Sequence, residues 1–574
     1  MVEFQVLAGK VTCQSTKIRH HISMTELSAT TSEVIDRWID ADPDPLAANR
    51  IETLRSDSES FDRAFGQPLR FGTAGLRGEM GPGPGSMNRV VMRVAAKAIA
   101  NQLVADGLTQ KGIVIGYDAR IESDLYALDA ARIFRSMSIE CLLVEGPIPT
   151  PVLARLVISR EAGAGLMVTA SHNPRSDNGC KLYWSDGLQI RSPLDQKIQQ
   201  LMDFRNLPRS NELAIPELVK KMEARVAISE YLGGVIKRTA HSTEPLEFVY
   251  TPLCGVGAET FELAFAVAGL APPIMVASQR EPDGTFPNLP FPNPEEPGTL
   301  DEAFITANHH NLDLILANDP DADRLGVAIR DKNKWRQLTG DEIGLLLCDF
   351  RSSETSGANR IAASSIVSSD AVAVLCKTRG IEHKRTLTGF KWIMLPVVEE
   401  PNKQWIFGYE EALGYSVNDL VLDKDGIAAA VEFVRMAAGL KANDSGLIQR
   451  MDELALEIGV FESTQVNVRL QTNQSESKMI NLRSNLPESI GSETVTFVDD
   501  YLNREGLGKS DLLVFSTDLG SRICVRPSGT EPKIKIYIEA QDLNVSTTRD
   551  LSKTRLRCRK RLTAIANDIS SWFS

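Results

Sequence analysis

Three aspartates lie at every second position of one short segment, NDPDADRLGVAI. Asp319, Asp321 and Asp323 follow the apolar run LDLILA, which predicts a strand, so their carboxylates crowd into the loop at its end. Hard oxygen ligands in one loop suit Mg²⁺. An EF-hand is excluded because, counted from Asp319, Arg324 stands where that loop needs glycine and Arg330 where it needs glutamate. A solvated acidic loop is the remaining alternative, although such close carboxylates repel one another without a cation.

A serine suited to nucleophilic chemistry lies in TASHNPRSDNGCK, Thr169 to Lys181. The segment follows the apolar run AGLMV, so we expect Ser171 on a loop at the end of a strand, where a nucleophile is exposed. Serine, asparagine, proline and glycine also build ordinary turns, so the motif alone is equally typical of a turn. A Ser/His hydrolase is disfavoured because Ser171 and His172 are adjacent and no GxSxG elbow is present.

Two further segments offer donors for a phosphate. RPSGTEPK, Arg526 to Lys533, combines cationic side chains and hydroxyls with a glycine that lets backbone N–H groups approach a ligand. RFGTAGLRGEMGPGPG sets Arg70 and Arg77 in a glycine-rich frame. Read alone, either is also compatible with a loop of incidental charge. GLGKS at 506–510 is not a P-loop, because Asn503 stands where the motif needs glycine.

A fourth segment, GYEEALGYS, is suited to binding a sugar. Glu410 and Glu411 lie beside glycines, and a carboxylate there can accept hydrogen bonds from sugar hydroxyls. A surface turn has the same composition. The segment therefore indicates a sugar site only when it is considered together with the other motifs.

Three stretches of the chain repeat one pattern that positions these segments. Each has a short β-rich apolar run, a helical pattern and a second β run: GIVIGY to IECLLVEG, EFVYTPL to PPIMVAS, and RIAASSIV to IEHKRTLTG. Such βαβ units predict mixed sheets flanked by helices. Their separation of over 100 residues indicates duplication of whole domains.

The last part of the chain changes character. KIKIYIE alternates apolar and polar residues, which indicates a half-buried antiparallel strand and an α+β domain. The proline-rich EPDGTFPNLPFPNPEEPG near 281–298 is predicted to be a loop inside the second domain. We predict a partly disordered N-terminal extension over residues 1–45 and domains over 46–213, 214–332, 333–458 and 459–574.

Composition excludes several classes of partner. The formal net charge of −12 and a sequence pI near 5.3 disfavour binding to nucleic acid or to an anionic membrane. No apolar run approaches the roughly 18 residues of a spanning helix, and the start lacks a signal-like apolar region. Eight cysteines without metal-ligand spacing indicate reduced thiols in a cytoplasmic protein. Whether it is a monomer or a dimer is left open.

Taken in order, four motifs resemble those of the α-D-phosphohexomutase family: TASHNP, DPDADR, GYEEALGY and RPSGTEP. The match spans roughly residues 70–533. RFGTAGLRG with GYEEALGYS is most similar to the longer phosphoglucomutase branch, which includes phosphopentomutases and a glucose bisphosphate synthase. The resemblance implies a heart-shaped α/β molecule of four domains, three of them similar and the last α+β, around a central cleft.

The resemblance also implies residue roles. Ser171 would carry the transferable phosphoryl group and, with Asp319, Asp321 and Asp323, hold one Mg²⁺, while Arg324 contacts the phosphoserine. Transfer would involve Lys181 as acid or base, with Arg77 and His172 nearby. The substrate phosphate would bind Arg526, Ser528, Gly529, Thr530 and Lys533. The sugar would contact Glu410, position 412 and the loop Thr388, Gly389 and Lys391.

The reaction implied by the resemblance interconverts hexose 1-phosphate and hexose 6-phosphate, with glucose 1,6-bisphosphate as intermediate and activator. Ala412 departs from the family, since many relatives have serine there, so the sugar contact expected from a hydroxyl is missing. Mannose, pentose and amino-sugar phosphates therefore remain open as substrates beside glucose phosphates. Hydrolysis of the phosphoserine, synthesis of a sugar bisphosphate and binding of phosphosugars without turnover are the alternative functions.

Overall fold

Each of the four predicted regions forms its own β-sheet in the computed structural model. The structure describes residues 24–72, 75–236, 245–470, 474–502, 510–528, 533–545 and 547–573. Within these residues the α/β class and the four-domain organisation are confirmed.

The first domain is built on a seven-stranded sheet. Its elements are α1 Met24–Ala41, α2 Ala47–Arg55, α3 Ser58–Phe65, β1 Phe71–Gly72, β2 Gly75–Glu79, α4 Arg89–Ala105, β3 Ile113–Tyr117, α5 Ser123–Ser136, β4 Cys141–Glu145, α6 Thr150–Ser159, β5 Ala164–Val168, β6 Asp177–Trp184, α7 Leu194–Leu201 and β7 Lys220–Glu223. The strand order is β1-β2-β6-β5-β3-β4-β7. The apolar run of β5 is buried along its whole length, as expected for a strand covered on both faces.

The second domain has five strands in the order β12-β11-β10-β8-β9. Its elements are α8 Ala224–Val235, β8 Val249–Thr251, α9 Gly257–Ala268, β9 Ile274–Met275, α10 Asp301–His310, β10 Leu314–Ala317, β11 Gly326–Asp331 and β12 Lys334–Gln337. The proline-rich segment 281–298 has no strand or helix and lies between β9 and α10, inside this domain as predicted.

The third domain has four strands in the order β14-β13-β15-β16. Its elements are α11 Gly340–Ser353, β13 Arg360–Ser365, α12 Ala371–Thr378, β14 Glu382–Thr386, α13 Phe390–Ile393, α14 Leu395–Glu399, β15 Gln404–Glu410, β16 Gly414–Ser416, α15 Gly426–Ala442 and α16 Leu447–Ile458. Thr339 caps α11 in a capping box with Glu342, and Asp425 caps α15. The caps fix where both helices begin beside the cleft.

The fourth domain is an antiparallel sheet in the order β17-β22-β21-β20-β19-β18. Its elements are β17 Val460–Arg469, α17 Gln474–Ser484, β18 Ser489–Ile490, β19 Glu493–Asp500, β20 Leu513–Thr517, β21 Arg522–Pro527, β22 Lys533–Asp542 and α18 Thr548–Ser571. The alternating segment KIKIYIE lies in β22, which confirms the antiparallel strand predicted there.

One topological unit recurs in the first three sheets. A central strand (β3, β8 or β13) pairs in parallel with the next strand on one side and with the third strand (β5, β10 or β15) on the other. The fourth strand (β6, β11 or β16) then returns antiparallel to the third. The turn between third and fourth strands carries the serine motif, the aspartate motif and the glutamate motif respectively.

The structure moves two of the predicted domain boundaries. β7 lies beyond the predicted boundary at 213/214 but pairs in parallel with β4, so the first sheet continues to Glu223. β12 lies beyond the boundary at 332/333 but pairs with β11 of the second sheet. Both are short edge strands of polar sequence, KKME and KWRQ, and lack the apolar run that reveals a strand.

The predicted N-terminal extension contains part of the first domain. Residues 1–23 lie outside the described residues, but α1 packs on the core of the first domain through Ile35, Trp38 and Ala41. Trp38 is 1% exposed and contacts Phe65 edge-on, with ring centroids 6.1 Å apart. The spacing of these apolar residues is helical, which is the signal for an amphipathic helix.

One apolar cluster runs through the first three domains, whereas the fourth domain has a core of its own. A single cluster runs from Val114 in β3 to Ile458 in α16. The core of the fourth domain is separate and meets the third through a smaller cluster that includes Ile366, Cys524 and Tyr537. No described helix has the length and apolarity needed to cross a membrane.

Replacing the buried indole of α1 tests its place in the first domain. Trp38→Ala should lower the free energy of unfolding by about 3 kcal/mol, because a large cavity is left in a packed core. The unfolding midpoint measured by calorimetry should fall by several degrees. Leu46→Ala, at a side chain 53% exposed, is the matched control and should change it little. Equal midpoints for the two variants would contradict the assignment.

Candidate active site

The serine loop and the aspartate loop meet although they belong to different domains. The Ser171 hydroxyl donates a hydrogen bond of 2.7 Å to Asp319 Oδ2. Ser171 is 2% exposed, and Asp319 is fully buried. The two loops occupy equivalent turns of two repeated units, so the contact joins the carboxyl ends of β5 and β10.

Ser171 has an unusual backbone conformation. Its φ is +54°, in the left-handed region that a residue with a Cβ seldom occupies outside turns and functional sites. Its N–H donates to Thr169 Oγ1 at 2.8 Å. This conformation turns the hydroxyl towards the aspartates.

The three aspartates form a buried group that fits a metal ion. One oxygen of each of Asp319, Asp321 and Asp323 lies within 4.8 Å of the others. Asp321 Oδ1 and Asp323 Oδ1 are buried without a hydrogen-bond partner, so each keeps an oxygen for a cation. Ala322 has φ +56°, which lets the loop turn tightly enough to bring alternate carboxylates together. A divalent cation such as Mg²⁺ matches this all-oxygen donor set.

The electrostatics of the group show why it needs cations. Burial, and then the charges of Asp323 and Asp321, raise the pKa of Asp319 well above its ordinary value. Burial by itself would raise the pKa of Asp321 as well. The Lys181 ammonium outweighs burial, so the pKa of Asp321 lies below its usual range. Three charged carboxylates are therefore stable here only with positive charge beside them.

Lys181 supplies one of these charges. From β6 its ammonium donates to Asp321 Oδ2 at 2.6 Å and contacts Asp323 Oδ2. Burial alone lowers the pKa of Lys181, but the two carboxylates outweigh it and the pKa is raised. Thr150, at the start of α6, donates to the same Asp321 oxygen at 2.5 Å.

The His172 ring lies between Ser171 and Arg324. Burial and then the charges of Arg324 and Arg77 hold the pKa of His172 well below its ordinary value, so the imidazole is neutral. Arg324 has only donors and lies 3.4 Å from Nε2, which leaves the proton on Nδ1. Nδ1 is 3.2 Å from Ser171 Oγ. His172 is thus not arranged as the base of a hydrolase.

Two arginines border the serine loop. Arg77, on β2, donates to Asn173 Oδ1 at 3.2 Å, and burial lowers its pKa. Arg324 pairs with Glu295 of the proline-rich segment at 3.3 Å and lies 3.9 Å from Asp319. Arg77 therefore contacts the serine loop, and Arg324 lies between that loop and the aspartate loop.

The two carboxylates of the glutamate loop in the third domain differ in their hydrogen bonding. Glu410 makes no side-chain hydrogen bond within the described residues, and its charge acts on Arg324 and Lys424. Glu411 instead accepts hydrogen bonds from Ser365 and Ser368, both 3.1 Å long. Burial, followed by Glu410 and Asp341, raises the pKa of Glu411 to about 7. Glu410 is therefore the carboxylate available to a ligand.

The TGFK loop of the third domain contacts the first domain. Lys391 is 6% exposed and donates to the carbonyl of Ile190 at 3.2 Å, so its ammonium joins the third domain to the first. Thr388 and Gly389 are half-buried just before α13, and Gly389 has φ +114°. Ala412 is also half-buried and presents only a methyl group. The sugar contact that the resemblance implies for Lys391 stays a prediction, while the structure bonds its ammonium to the Ile190 carbonyl.

The phosphate loop is described in part. Arg526 and Lys535 are paired across β21 and β22, and Ser528 N–H donates to Lys533 O at 2.8 Å where the hairpin closes. Arg526 Nε is buried without a hydrogen-bond partner. Gly529 and Thr530 lie outside the described residues.

Some residues of the centre were missed by sequence reasoning. Lys424 is 3.3 Å from both Asp323 and Asp423, and its pKa is raised because the two carboxylates outweigh burial. The pKa of Lys535 is lowered by burial and then by Arg526 and Lys533, which places it within the basic group of the phosphate loop. In sequence, the only signals were the cluster DKDG and the second lysine of KIK.

Comparison with known proteins assigns all four domains to one family. Models of phosphoglucomutase/phosphomannomutase match as α/β/α domain I over residues 68–207, domain II over 229–333, domain III over 339–455 and the C-terminal domain over 466–545.

Curated relatives cover most of the chain. A Haemophilus influenzae protein named "Probable phosphomannomutase" is 39% identical over 79% of this chain and 93% of its own. The phosphopentomutase of Mus musculus is 32% identical over 89% and 90%, and a phosphoglucomutase of Staphylococcus epidermidis is 31% identical over 88% and 96%.

A solved structure has the same fold. Parafusin (phosphoglucomutase) from Paramecium, in an open form, is 17% identical, with a TM-score of 0.65 over 88% of this chain and 96% of its own.

Metal binding by the aspartate group can be measured without turnover. Adding MgCl₂ to protein stripped with EDTA should raise the unfolding midpoint in a saturable way, because a ligand that binds only the folded state stabilises it. Asp321→Ala should abolish this shift, since it removes one of the three carboxylates. Glu302→Ala, at an exposed carboxylate of the same domain, should keep it. An unchanged shift in Asp321→Ala would place the cation elsewhere.

Proposed function

Because the chain belongs to the phosphoglucomutase/phosphomannomutase family, we propose that it interconverts hexose 1-phosphate and hexose 6-phosphate, with α-D-glucose phosphates as substrates. The family consists of phosphomutases. The observation that carries the proposal is the 2.7 Å contact between Ser171 Oγ and Asp319. It joins the proposed nucleophile of the first domain to the aspartate group of the second domain, which is suited to a metal ion.

Ser171 acts in its phosphorylated form. Its phosphoryl group passes to the free hydroxyl of the monophosphate, where a new P–O bond forms as the serine P–O bond breaks. The resulting glucose 1,6-bisphosphate turns over in the cleft and returns its other phosphoryl group to Ser171. The bisphosphate is thus the intermediate and, added in small amounts, the activator that phosphorylates idle enzyme.

Charged groups around Ser171 offset the charge of the transferring group. Asp319, Asp321, Asp323 and a phosphoserine oxygen would hold Mg²⁺, which would supply electrostatic stabilisation of the transferring group. Arg324 and Arg77 hold the phosphoryl oxygens from either side. Lys181, held as a charged hydrogen-bond donor by Asp321, gives a proton to the departing Ser171 oxygen and regains one from the attacking sugar hydroxyl.

The substrate's other phosphate binds the basic loop of the fourth domain. Arg526, Ser528, Lys533 and Lys535 contribute, together with Gly529 and Thr530. Guanidinium and ammonium groups recognise a phosphate by charge and geometry whichever carbon it esterifies. This suits a substrate that must bind in two orientations.

A pentose phosphate is the second candidate substrate. Glu410 accepts hydrogen bonds from sugar hydroxyls, but Ala412 offers no hydroxyl beside it. Relatives of nearly full length include a phosphopentomutase as well as a phosphoglucomutase.

We also propose a cytoplasmic location, supported by free thiols at all seven cysteines in the described part of the chain.

Removing the nucleophile tests the reaction. Ser171→Ala should lower kcat for glucose 1-phosphate by at least about a thousandfold, because no phosphoserine can form. The assay measures glucose 6-phosphate in the presence of catalytic glucose 1,6-bisphosphate and Mg²⁺. Ser176→Ala, at an exposed serine of the same loop, is the control and should keep turnover. Undiminished interconversion by Ser171→Ala would exclude the mechanism, and release of free phosphate in step with substrate loss would indicate a phosphatase.

Position 412 tests the identity of the sugar. Ala412→Ser adds a hydroxyl beside Glu410 and should raise kcat/KM for glucose 1-phosphate relative to ribose 1-phosphate by about fivefold, the value of one hydrogen bond near 1 kcal/mol. Ala412→Cys has nearly the same size without a strong donor and should leave the ratio unchanged. A panel of glucose, mannose and ribose 1-phosphates gives the ratios. Equal effects of serine and cysteine would show that position 412 does not contact the sugar.

A further inference from the structure

Arg120 lies beneath the serine loop and is bonded to four of its carbonyls. Its guanidinium donates to the backbone oxygens of Ser171 at 2.6 Å, Asn173 at 2.7 Å, Pro174 at 2.8 Å and Asp177 at 2.8 Å. The side chain is buried, with 3% of the residue exposed. A planar fork of donors suits several converging carbonyls, which a lysine ammonium cannot satisfy in the same way.

The shortest of these bonds falls on the residue with the strained backbone. Ser171 has φ +54°, and a residue with a Cβ keeps such a conformation only where its surroundings over-determine it. Arg120 holds the Ser171 carbonyl on one side, while the Ser171 hydroxyl reaches Asp319 on the other. The orientation of the hydroxyl therefore depends on where the carbonyl is fixed.

The second domain in turn holds Arg120 in place. The guanidinium lies 5.0 Å from the centroid of the Phe286 ring, in a cation–π contact. The Arg120 backbone forms a parallel bridge with Gly284, where a Cβ would lie 2.3 Å from Ala119 O. The close approach therefore requires a glycine at position 284. Both contacts come from the proline-rich segment 281–298.

The same segment also touches the serine loop directly. The Arg175 N–H donates to Pro290 O at 3.3 Å. Further along, Glu295 pairs with Arg324 of the aspartate loop. The segment thus spans the two loops that carry the nucleophile and the carboxylates.

We propose that Arg120 is a positioning residue for phosphoryl transfer, and that segment 281–298 of the metal-bearing domain fixes it against the serine loop. The inference rests on the proposed function for its effect on turnover. Arg120 does not touch the substrate in this arrangement, because both of its terminal nitrogens are committed to the loop carbonyls and its Nε lies in the buried interior, 3.6 Å from Asp118 Oδ2. It acts by keeping Ser171 at the distance and angle that transfer needs.

Arg120→Lys tests the proposal against a matched variant, Arg93→Lys. Arg93 is equally buried in the first domain and bonded to Asp129 and to backbone carbonyls, but it lies outside the serine loop. We expect Arg120→Lys to lower kcat at least about thirtyfold with KM within about threefold, because the phosphate loop is intact. Arg93→Lys should keep kcat within about twofold even if it lowers the unfolding midpoint.

Hydrogen exchange supplies a readout independent of activity. Peptides covering 169–178 should take up deuterium faster in Arg120→Lys than in wild type, and at the wild-type rate in Arg93→Lys. Equal kcat and equal exchange in the two variants, or a loss expressed in KM alone, would overturn the proposal. A wild-type protein without mutase turnover would overturn the proposed function instead, while the exchange comparison would still test the positioning.

Phe286→Leu decides the question if Arg120→Lys does not fold. It removes the aromatic face from the guanidinium and leaves the core of the first domain intact. A fall in kcat of about threefold or more, with faster exchange over 169–178, would support the proposal. Wild-type values for both would overturn it.

Discussion

Three buried carboxylates within reach of one another impose the main constraint on this molecule. Asp319, Asp321 and Asp323 repel one another, and burial adds to the cost of their charges. Positive groups come to them from separate domains: Lys181 from the first and Lys424 from the third. Neutralising the group therefore requires the domains to close around it. The apolar cluster that runs through the first three domains fixes that closure.

The duplicated topology explains why these loops meet at all. Each functional turn connects the third strand of a repeated unit to its antiparallel fourth strand, at the carboxyl end of the parallel strands. Ligands of open α/β sheets bind outside the carboxyl ends of their strands. Three units that face one centre thus contribute equivalent turns to it. The turns have diverged in chemistry, as nucleophile, metal ligands and sugar acceptor are proposed for Ser171, Asp319 and Glu410, while their frame has stayed the same.

Much of this arrangement could be predicted from sequence because it is encoded locally. Apolar runs predicted the central strands, and alternation predicted the strand that follows the phosphate loop. β7 and β12 were missed because their polar residues form edge strands whose only support is pairing with a distant partner. Arg120 was missed for a related reason: its partners are four backbone carbonyls and a phenylalanine ring, and no motif records such contacts. The contact of Lys391 with Ile190 could not be predicted either, because it depends on how the third domain packs on the first.

In the proposed arrangement, the phosphate and the sugar of the substrate are bound by different domains. Arg526 and Lys535, the basic residues of the fourth domain proposed for phosphate binding, recognise a phosphate by its charge, so they cannot distinguish one sugar from another. Discrimination must then come from the third domain, where Glu410 is the available carboxylate and Ala412 has no polar atom. The fourth domain also has its own core and meets the third through a small cluster. Exchange of a few groups in one turn can therefore alter the preferred sugar while the charged centre that performs the proposed transfer is left unchanged.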